Sequence, residues 1–325
     1  VAPHSLQPAH AGCGRPQSRS FPPRRRGQRG ALLNAPVHTG SARDTGATTS
    51  LRLREFAFGE EDFQALRALV KSLTGIHLSE QKRELVYGRL TRRLRALQLR
   101  SFAEYRERLQ GNVQELAELC NAITTNLTSF FREPHHFQYL RDHLLAPIIA
   151  ARRSERRLRI WSAGCSTGEE PYSIAMTLLE TLPGPERWDV RILATDLDSE
   201  VLERARRGMY PAERTGTVSP ERLRRFFIEC PEATGSWRQI APEVAALVTF
   251  KQLNLIHALP MRGPLDAIFC RNVVIYFDKD TQRELFTRMA RLQRPGDLLF
   301  LGHSESLFKV CDSYALIGKT IHRRV

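Results

Sequence analysis

The hydrophobic pattern changes once along the chain, near Leu158, and this change constrains the fold more than any other feature of the sequence. From about Phe56 to that point, apolar residues recur at the three-to-four-residue spacing of amphipathic helices. Beyond it, short apolar runs alternate with helical stretches; the runs are Leu158–Ala163, Val190–Thr195, Leu265–Cys270 and Leu298–Gly302. We therefore predict a small all-α domain over residues 55–150 and an α/β domain with a mostly parallel sheet over residues 151–325.

Two segments depart from this plan. Residues 1–50 contain seven arginines and one acid, Asp44, with few large apolar residues. We predict a disordered basic tail over residues 1–54. Between about 208 and 250 the strand–helix alternation lapses into turn-rich sequence with short β-like pieces, which indicates an insertion in the α/β domain.

The composition excludes several classes of protein. The six cysteines are scattered without a C-x-x-C pair, which argues against a disulfide framework and a zinc site, and no metal is expected. Scattered, unpaired cysteines fit a reducing cytoplasm. No apolar run approaches the ~20 residues that span a bilayer, and no secretory signal is recognisable. The net charge of +14 favours acidic partners without choosing among them.

A glycine-containing loop joins the first predicted strand to the next helix, from Gly164 to Gly168, and is followed by Glu169 and Glu170. Glycines at the carboxyl edge of a parallel sheet let the backbone approach a ligand closely. The G-x-x-x-G spacing and the two acids disfavour a pyrophosphate at this helix start and favour a cation, such as the amino group of a methionine moiety. Acids in a first helical turn also have a purely structural reading, because they offset the helix dipole.

Asp196 ends the second predicted strand. A carboxylate there can accept hydrogen bonds from both hydroxyls of an unphosphorylated ribose. We expect Asp198 to cap the following helix and to leave Asp196 free. NAD enzymes and S-adenosylmethionine enzymes share these features, so the glycine loop and the acidic strand tip do not choose between them.

Two longer motifs are Asn121–Arg132, with the sequence NAITTNLTSFFR, and Asp266–Asp278, with the sequence DAIFCRNVVIYFD. In the second motif a strand delivers Arg271 and Asn272 to the carboxyl edge of the sheet. Polar groups that emerge from an apolar strand usually serve a site, although Arg271 could instead be an interdomain ion-pair partner.

These motifs, in this order, resemble those of the chemotaxis receptor glutamate O-methyltransferases, the CheR family. The resemblance runs from about Phe56 to the C-terminus and includes Thr124–Pro134, AGCSTGEEPYS, ATDLD, FCRNVVIYFD and Gly302-His-Ser-Glu. It implies a Rossmann-like S-adenosylmethionine-dependent methyltransferase domain with an inserted small antiparallel β-subdomain, preceded by the all-α domain.

The resemblance also implies a cofactor site. The expected contacts to S-adenosylmethionine, or to its product S-adenosylhomocysteine, are Asn126, Thr128, Arg132, Glu169, Asp196, Asn254, Leu255, Arg271 and Asn272. Asp196 would hold the ribose hydroxyls and Glu169 the methionine end. Asn254 and Leu255 would flank the adenine.

Arg132 and Tyr276 are the implied catalytic residues, at the place where methyl donor and glutamate meet. A glutamate carboxylate has a pKa of roughly 4.3 and is ionised at neutral pH, so no general base is required. Such a site must align the reactants and exclude water. We expect Tyr276 to orient the carboxylate. Arg132 is expected to position it, since only interactions that are stronger in the transition state accelerate attack.

The second predicted helix, around residues 82–95, is strongly basic; its cations are Lys82, Arg83, Arg89, Arg92, Arg93 and Arg95. A charge run is usually a solvated face, but the resemblance implies that this helix docks on the Glu-rich cytoplasmic helical bundle of chemoreceptors. In some members the β-subdomain also binds a receptor C-terminal peptide by strand addition. We expect a monomer, with no nucleic-acid partner and no membrane insertion.

Three other functions compete with this one. An RNA methyltransferase would suit the basic composition, but it predicts aromatic residues among the basic ones, and residues 1–50 contain only Phe21. A non-catalytic module that binds S-adenosylmethionine would not need Arg132, Asn272 and Tyr276 together. A nucleotide-dependent dehydrogenase is disfavoured by the spacing of the glycine loop.

Overall fold

The computed structural model describes residues 54–151, 155–232 and 235–325. The predicted disordered tail lies outside the described residues, except for Arg54. Within those ranges, no helix combines the length and the apolar character that crossing a bilayer requires. The limits of the domains at residues 55, 150 and 208–250 stay predictions.

Four helices open the described chain: α1 (Glu60–Thr74), α2 (Arg83–Ala96), α3 (Phe102–Leu109) and α4 (Val113–Ile123). Gly75 ends α1 in the left-handed region, with φ of 74°, where glycine is favoured. The hydroxyl of Ser101 accepts the N–H of Glu104 at 3.1 Å and caps α3. Apolar side chains of these helices share one buried cluster, with Phe63, Leu90 and Leu119 fully buried.

The next helical stretch belongs to a different core. Helix α5 (Pro134–Tyr139) continues through a π-helical segment, Leu140–Leu145, into α6 (Ala146–Ala151). Its residues Phe137 and Leu140 are buried in the cluster that covers the large sheet. The fifth predicted helix therefore packs on the sheet and not with the first four.

The rest of the described chain alternates strands and helices. The strands are β1 (Arg157–Ala163), β2 (Asp189–Asp196), β3 (Met209–Pro211), β4 (Phe227–Glu232), β5 (Gly235–Ile240), β6 (Val248–Gln252), β7 (Ala267–Cys270), β8 (Leu298–Leu301), β9 (Tyr314–Gly318) and β10 (Ile321–Arg324). The helices are α7 (Glu169–Thr181), α8 (Ser199–Arg207), α9 (Pro220–Phe226), α10 (Pro242–Ala245) and α11 (Lys279–Ala290).

Seven of these strands form one sheet in the order β6-β2-β1-β7-β8-β10-β9. The first five are parallel, and β10 is antiparallel to both β8 and β9. The strand order reverses between β1 and β7, and doubly wound sheets bind ligands at such a switch point, outside the carboxyl ends of the strands. Strands β3, β5 and β4 form the separate antiparallel sheet predicted as an insertion. The predicted fold class is confirmed.

Candidate active site

A cavity of about 1140 Å³, its open mouth included, lies at the carboxyl ends of β1, β2 and β7. Of the residues predicted from the sequence, it is lined by Asn126, Thr128, Arg132, Asp196, Asn254, Leu255, Arg271, Asn272 and Tyr276. Glu169 is absent from this lining. The fold thus brings together residues that are up to 150 positions apart in the chain, from Asn126 to Tyr276.

Gly164 sets the distance between two strand ends. Its φ is 90°, and a Cβ on it would lie 2.3 Å from a methyl carbon of Val273, in the segment after β7. Its N–H donates to the carbonyl of Thr195 at 2.8 Å. A side chain at this position would therefore separate the segments after β1 and β7, which both line the cavity.

Asp196 and Asp198 make different contacts at the end of β2. The carboxylate of Asp196 accepts the backbone N–H of Ser166 at 2.8 Å and that of Asp198 at 3.0 Å, one on each oxygen. Burial raises its pKa, and these two hydrogen bonds oppose the increase. Each oxygen still has a free lone pair for a ligand hydroxyl. Asp198 caps α8 through the N–H groups of Glu200 and Val201, as predicted.

The segment between α4 and α5 forms another wall of the cavity. The side-chain amide of Asn126 donates to Asp198 Oδ2 at 2.7 Å. The backbone carbonyl of Asn126 accepts a hydrogen bond from the hydroxyl of Ser166 at 3.0 Å. The guanidinium of Arg89 donates to the carbonyls of Ile123 at 2.6 Å and Thr124 at 2.7 Å. This segment is therefore fixed both to the glycine loop and to α2.

Arg271 lies at the centre of a buried charge network. Its side chain is 2% exposed and lies 3.5 Å from Glu170 and 3.7 Å from Glu133. It also donates to the backbone carbonyl of Arg132. It therefore combines the predicted ion pairing with a place in the cavity wall, and it fixes the backbone from which the Arg132 side chain projects. The guanidinium of Arg132 itself donates to the carbonyl of Leu127 at 3.0 Å.

The two acids at the start of α7 point in different directions. Glu169 is fully buried and pairs with Arg214 at 2.7 Å, whereas Glu170 lines the cavity. Glu170 accepts the hydroxyl of Ser162 at 2.6 Å. Burial raises the pKa of Glu170, and the charge of Arg271 opposes this. Of the two acids, the cavity is therefore lined by Glu170 and not by Glu169, the residue predicted as a cofactor contact.

Glu305 supports the site by holding a turn of the backbone, a role that the sequence did not predict. Its carboxylate accepts four backbone N–H groups: those of Asn272 at 2.8 Å, Val273 at 2.9 Å, Val274 at 2.9 Å and Gly302 at 2.6 Å. Asn272 has a φ of 59°, unusual for a residue other than glycine. Glu305 thus holds the turn that carries Asn272 into the cavity. The Gly302-His-Ser-Glu motif was the available signal.

Tyr276 reaches the cavity from the segment after β7, where its carbonyl accepts the N–H of His77 at 2.7 Å. The ammonium of Lys82 lies 5.2 Å from the centre of the Tyr276 ring, within the range of a cation–π interaction. Lys82 also lines the cavity. The sequence predicts Lys82 only as part of the basic docking helix and does not predict its place in the cavity wall.

The part of the cavity wall formed by Leu253, Asn254 and Leu255 suits a nucleoside. Asn254 donates to the carbonyl of Leu73 at 2.7 Å and is thereby fixed against α1. Leu253 and Leu255 line the cavity beside it, and such apolar surface suits a purine ring. With the Asp196 carboxylate for a ribose and Glu170 for an ammonium group, the residues present fit S-adenosylmethionine.

Comparison with protein families agrees with this chemistry. Residues 126–322 match the family model described as the CheR methyltransferase SAM-binding domain, and residues 61–124 match that of the CheR methyltransferase all-alpha domain. The fold, the cavity and these matches define an S-adenosylmethionine-dependent methyltransferase.

Curated relatives agree over nearly their whole length. Chemotaxis protein methyltransferase 2 of Pseudomonas aeruginosa is 47% identical over 272 residues, which are 83% of this chain and 95% of that protein. The chemotaxis protein methyltransferases of Escherichia coli and Salmonella typhimurium are each 43% identical, over 84% and 83% of this chain and 95% and 92% of their own. This chain belongs to the CheR methyltransferase family. The predicted family, enzyme class and cofactor are confirmed, and the competing functions are not favoured.

Proposed function

We propose that this protein transfers a methyl group from S-adenosylmethionine to glutamate carboxylates of chemoreceptors, in the cytoplasm, and forms glutamate methyl esters. One observation carries the proposal: Arg132, Lys82 and Tyr276 line the same cavity as Asp196 and Glu170. Groups suited to an incoming carboxylate therefore share a cavity with groups suited to the cofactor.

In this proposal the residues on the cofactor side bind and orient S-adenosylmethionine. Asp196 accepts the two ribose hydroxyls, Asn254 and Leu255 flank the adenine, and Glu170 attracts the ammonium group. Asn126, Thr128 and Asn272 supply neutral polar contacts around the same ligand. When bound, the cofactor supplies an electrophilic methyl group on a sulfonium centre. The walls exclude water from it, which strengthens the interactions inside.

On the substrate side, the chain positions an acceptor that is already a nucleophile. A glutamate carboxylate is ionised at neutral pH, so no residue has to remove a proton. Arg132 and Lys82 hold the carboxylate by charge, and the hydroxyl of Tyr276 orients it. Because Arg132 binds the carboxylate in the ground state as well as in the transition state, it contributes by placing the nucleophile and not by binding the transition state more tightly.

The basic helix contributes less free charge to receptor docking than its sequence suggests. Three of its arginines have acidic partners: Arg83 pairs with Glu60, Arg93 with Glu115 and Arg95 with Glu55. Arg89 is occupied by backbone carbonyls. In the part of the chain that the structure describes, no acid lies within 4.0 Å of Lys82 or Arg92. Because Lys82 lines the cavity and Arg92 is exposed, we assign the docking charge mainly to Arg92.

The inserted sheet offers an edge for a receptor C-terminal peptide. Strand β5 lies in its centre, and β4 is paired only with β5 among the described strands. Ile228 on β4 is 47% exposed. An extended peptide that adds to β4 would bind through main-chain hydrogen bonds. We propose that the enzyme acts as a monomer in this arrangement.

The test is a transfer assay with labelled S-adenosylmethionine and a receptor cytoplasmic fragment. We expect label in the protein that is released by mild base, because esters hydrolyse and N-methyl groups do not. A fragment whose acceptor glutamates are replaced by glutamine is the matched control and should remain unlabelled. Base-stable label, or label on RNA and not on the fragment, would contradict the proposal.

Variants of the substrate side refine this assay. Arg132→Ala and Tyr276→Phe should each lower receptor methylation by about tenfold or more, as expected from lost placement. The affinity for S-adenosylhomocysteine should fall less in Tyr276→Phe than in Arg132→Ala, because Arg132 is also a predicted cofactor contact. Near-normal turnover in both would remove the assignment.

A further inference from the structure

The inserted subdomain contacts the glycine loop at two points. Tyr210, in β3, donates its hydroxyl to the carbonyl of Thr167 at 2.6 Å. Arg214, in the turn that follows β3, lies 2.7 Å from Glu169 Oε1 and 3.4 Å from Thr167 Oγ1. Neither Tyr210 nor Arg214 lines the cavity, yet both contact a loop of which Gly164 and Ser166 line it.

The hydroxyl of Thr167 and the guanidinium of Arg214 both favour the ionised form of Glu169. The side chain is fully buried, and burial raises its pKa, while the hydroxyl of Thr167 and the charge of Arg214 oppose the increase. Among the described residues, Arg214 is the cation within 4.0 Å of it. A buried carboxylate that loses its partner is strongly disfavoured, so Arg214 decides whether Glu169 stays where it is.

A displacement of Glu169 would reach the cavity directly. Gly168 precedes it with φ of 96°, and an added Cβ there would lie 3.0 Å from the Tyr210 hydroxyl, so the loop is already closely packed against β3. Glu170, the next residue, faces the cavity. Any rotation of the first turn of α7 that exposes Glu169 therefore also moves the acid that faces the ligand.

The turn that carries Arg214 is itself fixed to the small sheet. Arg238, in β5, donates to the hydroxyl of Thr215 at 2.5 Å and lies 3.8 Å from Glu229 in β4. The contacts thus run without interruption from the β4 strand through β5 to the glycine loop.

We propose that Arg214 is a positioning residue for the cofactor site: through Glu169 and Thr167 it holds the glycine loop in its binding conformation. The inserted subdomain is then part of the cofactor site and does more than provide a surface for a partner. The proposal rests on cofactor binding in the cavity and is independent of which carboxylate or other group accepts the methyl.

The test is the affinity for S-adenosylhomocysteine, measured by calorimetry on the full chain. We expect Arg214→Met to weaken binding by about tenfold or more. Arg224→Met is the matched control, because it removes the same charge from the same subdomain where the guanidinium lies 3.8 Å from Glu221 within α9. It should bind within about twofold of wild type, as distant surface substitutions usually do.

A double-mutant cycle separates positioning from general destabilisation. In Glu169→Gln the buried charge that needs Arg214 is absent, so adding Arg214→Met to it should weaken binding no further than about twofold. Multiplicative losses, or an Arg214→Met variant that binds like Arg224→Met, would overturn the proposal. If Arg214→Met alone does not fold, the comparison of the double variant with Glu169→Gln decides. No receptor enters this test, so its outcome is separate from that of the methylation assay.

Discussion

Replacing Glu305 by glutamine tests whether one carboxylate holds the turn that lines the cavity. One oxygen of Glu305 accepts the N–H groups of Val273 and Val274, and the other accepts those of Asn272 and Gly302. Glutamine keeps one acceptor oxygen and turns the other into a donor. Whichever way the amide is oriented, two backbone N–H groups lose their acceptor.

The magnitude follows from the two lost hydrogen bonds. Bonds to a charged group contribute ~1.5–3 kcal/mol each, which gives a gross loss of ~3–6 kcal/mol in the free energy of unfolding. Part of this is offset, because burial raises the pKa of Glu305 and the neutral amide avoids the cost of a buried charge. We therefore expect a net loss at the lower end, about 3 kcal/mol.

Two measurements check this expectation. Urea unfolding should show the loss of stability, and calorimetry should show weaker binding of S-adenosylhomocysteine, by about tenfold, because Asn272 and Val273 line the cavity. Glu107→Gln, at an exposed position of α3, is the control and should change stability by less than about 0.5 kcal/mol. A loss below about 1 kcal/mol with unchanged binding would refute the reasoning.

Three further predictions follow from particular contacts. Gly164→Ala should cost about 2–4 kcal/mol of unfolding free energy, because its Cβ would overlap Val273 at positive φ; Val273→Ala added to it should recover part of the loss, and two additive losses would contradict the packing argument. Burial, with the charges of Arg271 and His135, lowers the pKa of His136 to about 3. Because the same histidine takes up a proton near pH 6.5 in the unfolded chain, the free energy of unfolding of the wild type should fall by about 2 kcal/mol between pH 6.5 and 5. If urea unfolding of His136→Phe shows the same dependence on pH as the wild type, His136 is not the cause. Arg92→Glu should slow methylation of a receptor fragment severalfold at low salt and less at high salt, while binding of S-adenosylhomocysteine stays unchanged; a salt-independent effect would argue against docking by charge.

The features that the sequence predicted correctly depend on neighbours in the chain. The cap of α3 at Ser101 and the cap of α8 at Asp198 follow from residues within a few positions of each other. The parallel sheet follows from the alternation of apolar runs and helices. Each of these is a local rule that tertiary packing did not override.

The features that the sequence did not predict depend on contacts between distant residues or on the direction in which a side chain points. Glu169 and Glu170 are adjacent, and consecutive residues on an α-helix point about 100° apart, so the sequence alone does not say which acid faces the cavity. The basic helix looked like free charge, because its partners Glu55, Glu60 and Glu115 lie 22 to 40 positions away.

The same reason explains why the role of Glu305 was missed. Its motif was visible, but its four donors lie on two segments, around Asn272 and at Gly302, that only the sheet brings together. The buried charge network of Arg271 is similar, since Glu133 and Glu170 lie more than 100 positions before it. Such networks depend on the tertiary fold and not on a local pattern.

Calorimetric titration of S-adenosylhomocysteine into the wild-type protein and into Asp196→Asn probes the cavity at the ends of β1, β2 and β7 most directly. The amide keeps the shape of the side chain but turns one acceptor oxygen into a donor, so the variant should bind at least about tenfold more weakly. One of the two backbone N–H groups that Asp196 accepts also loses its acceptor, so the melting temperature should fall by a few degrees while the variant stays folded at the temperature of the titration. One binding site per wild-type chain that is weakened in this way would support the assignment. Equal affinity of the two proteins would place the ligand elsewhere and contradict it.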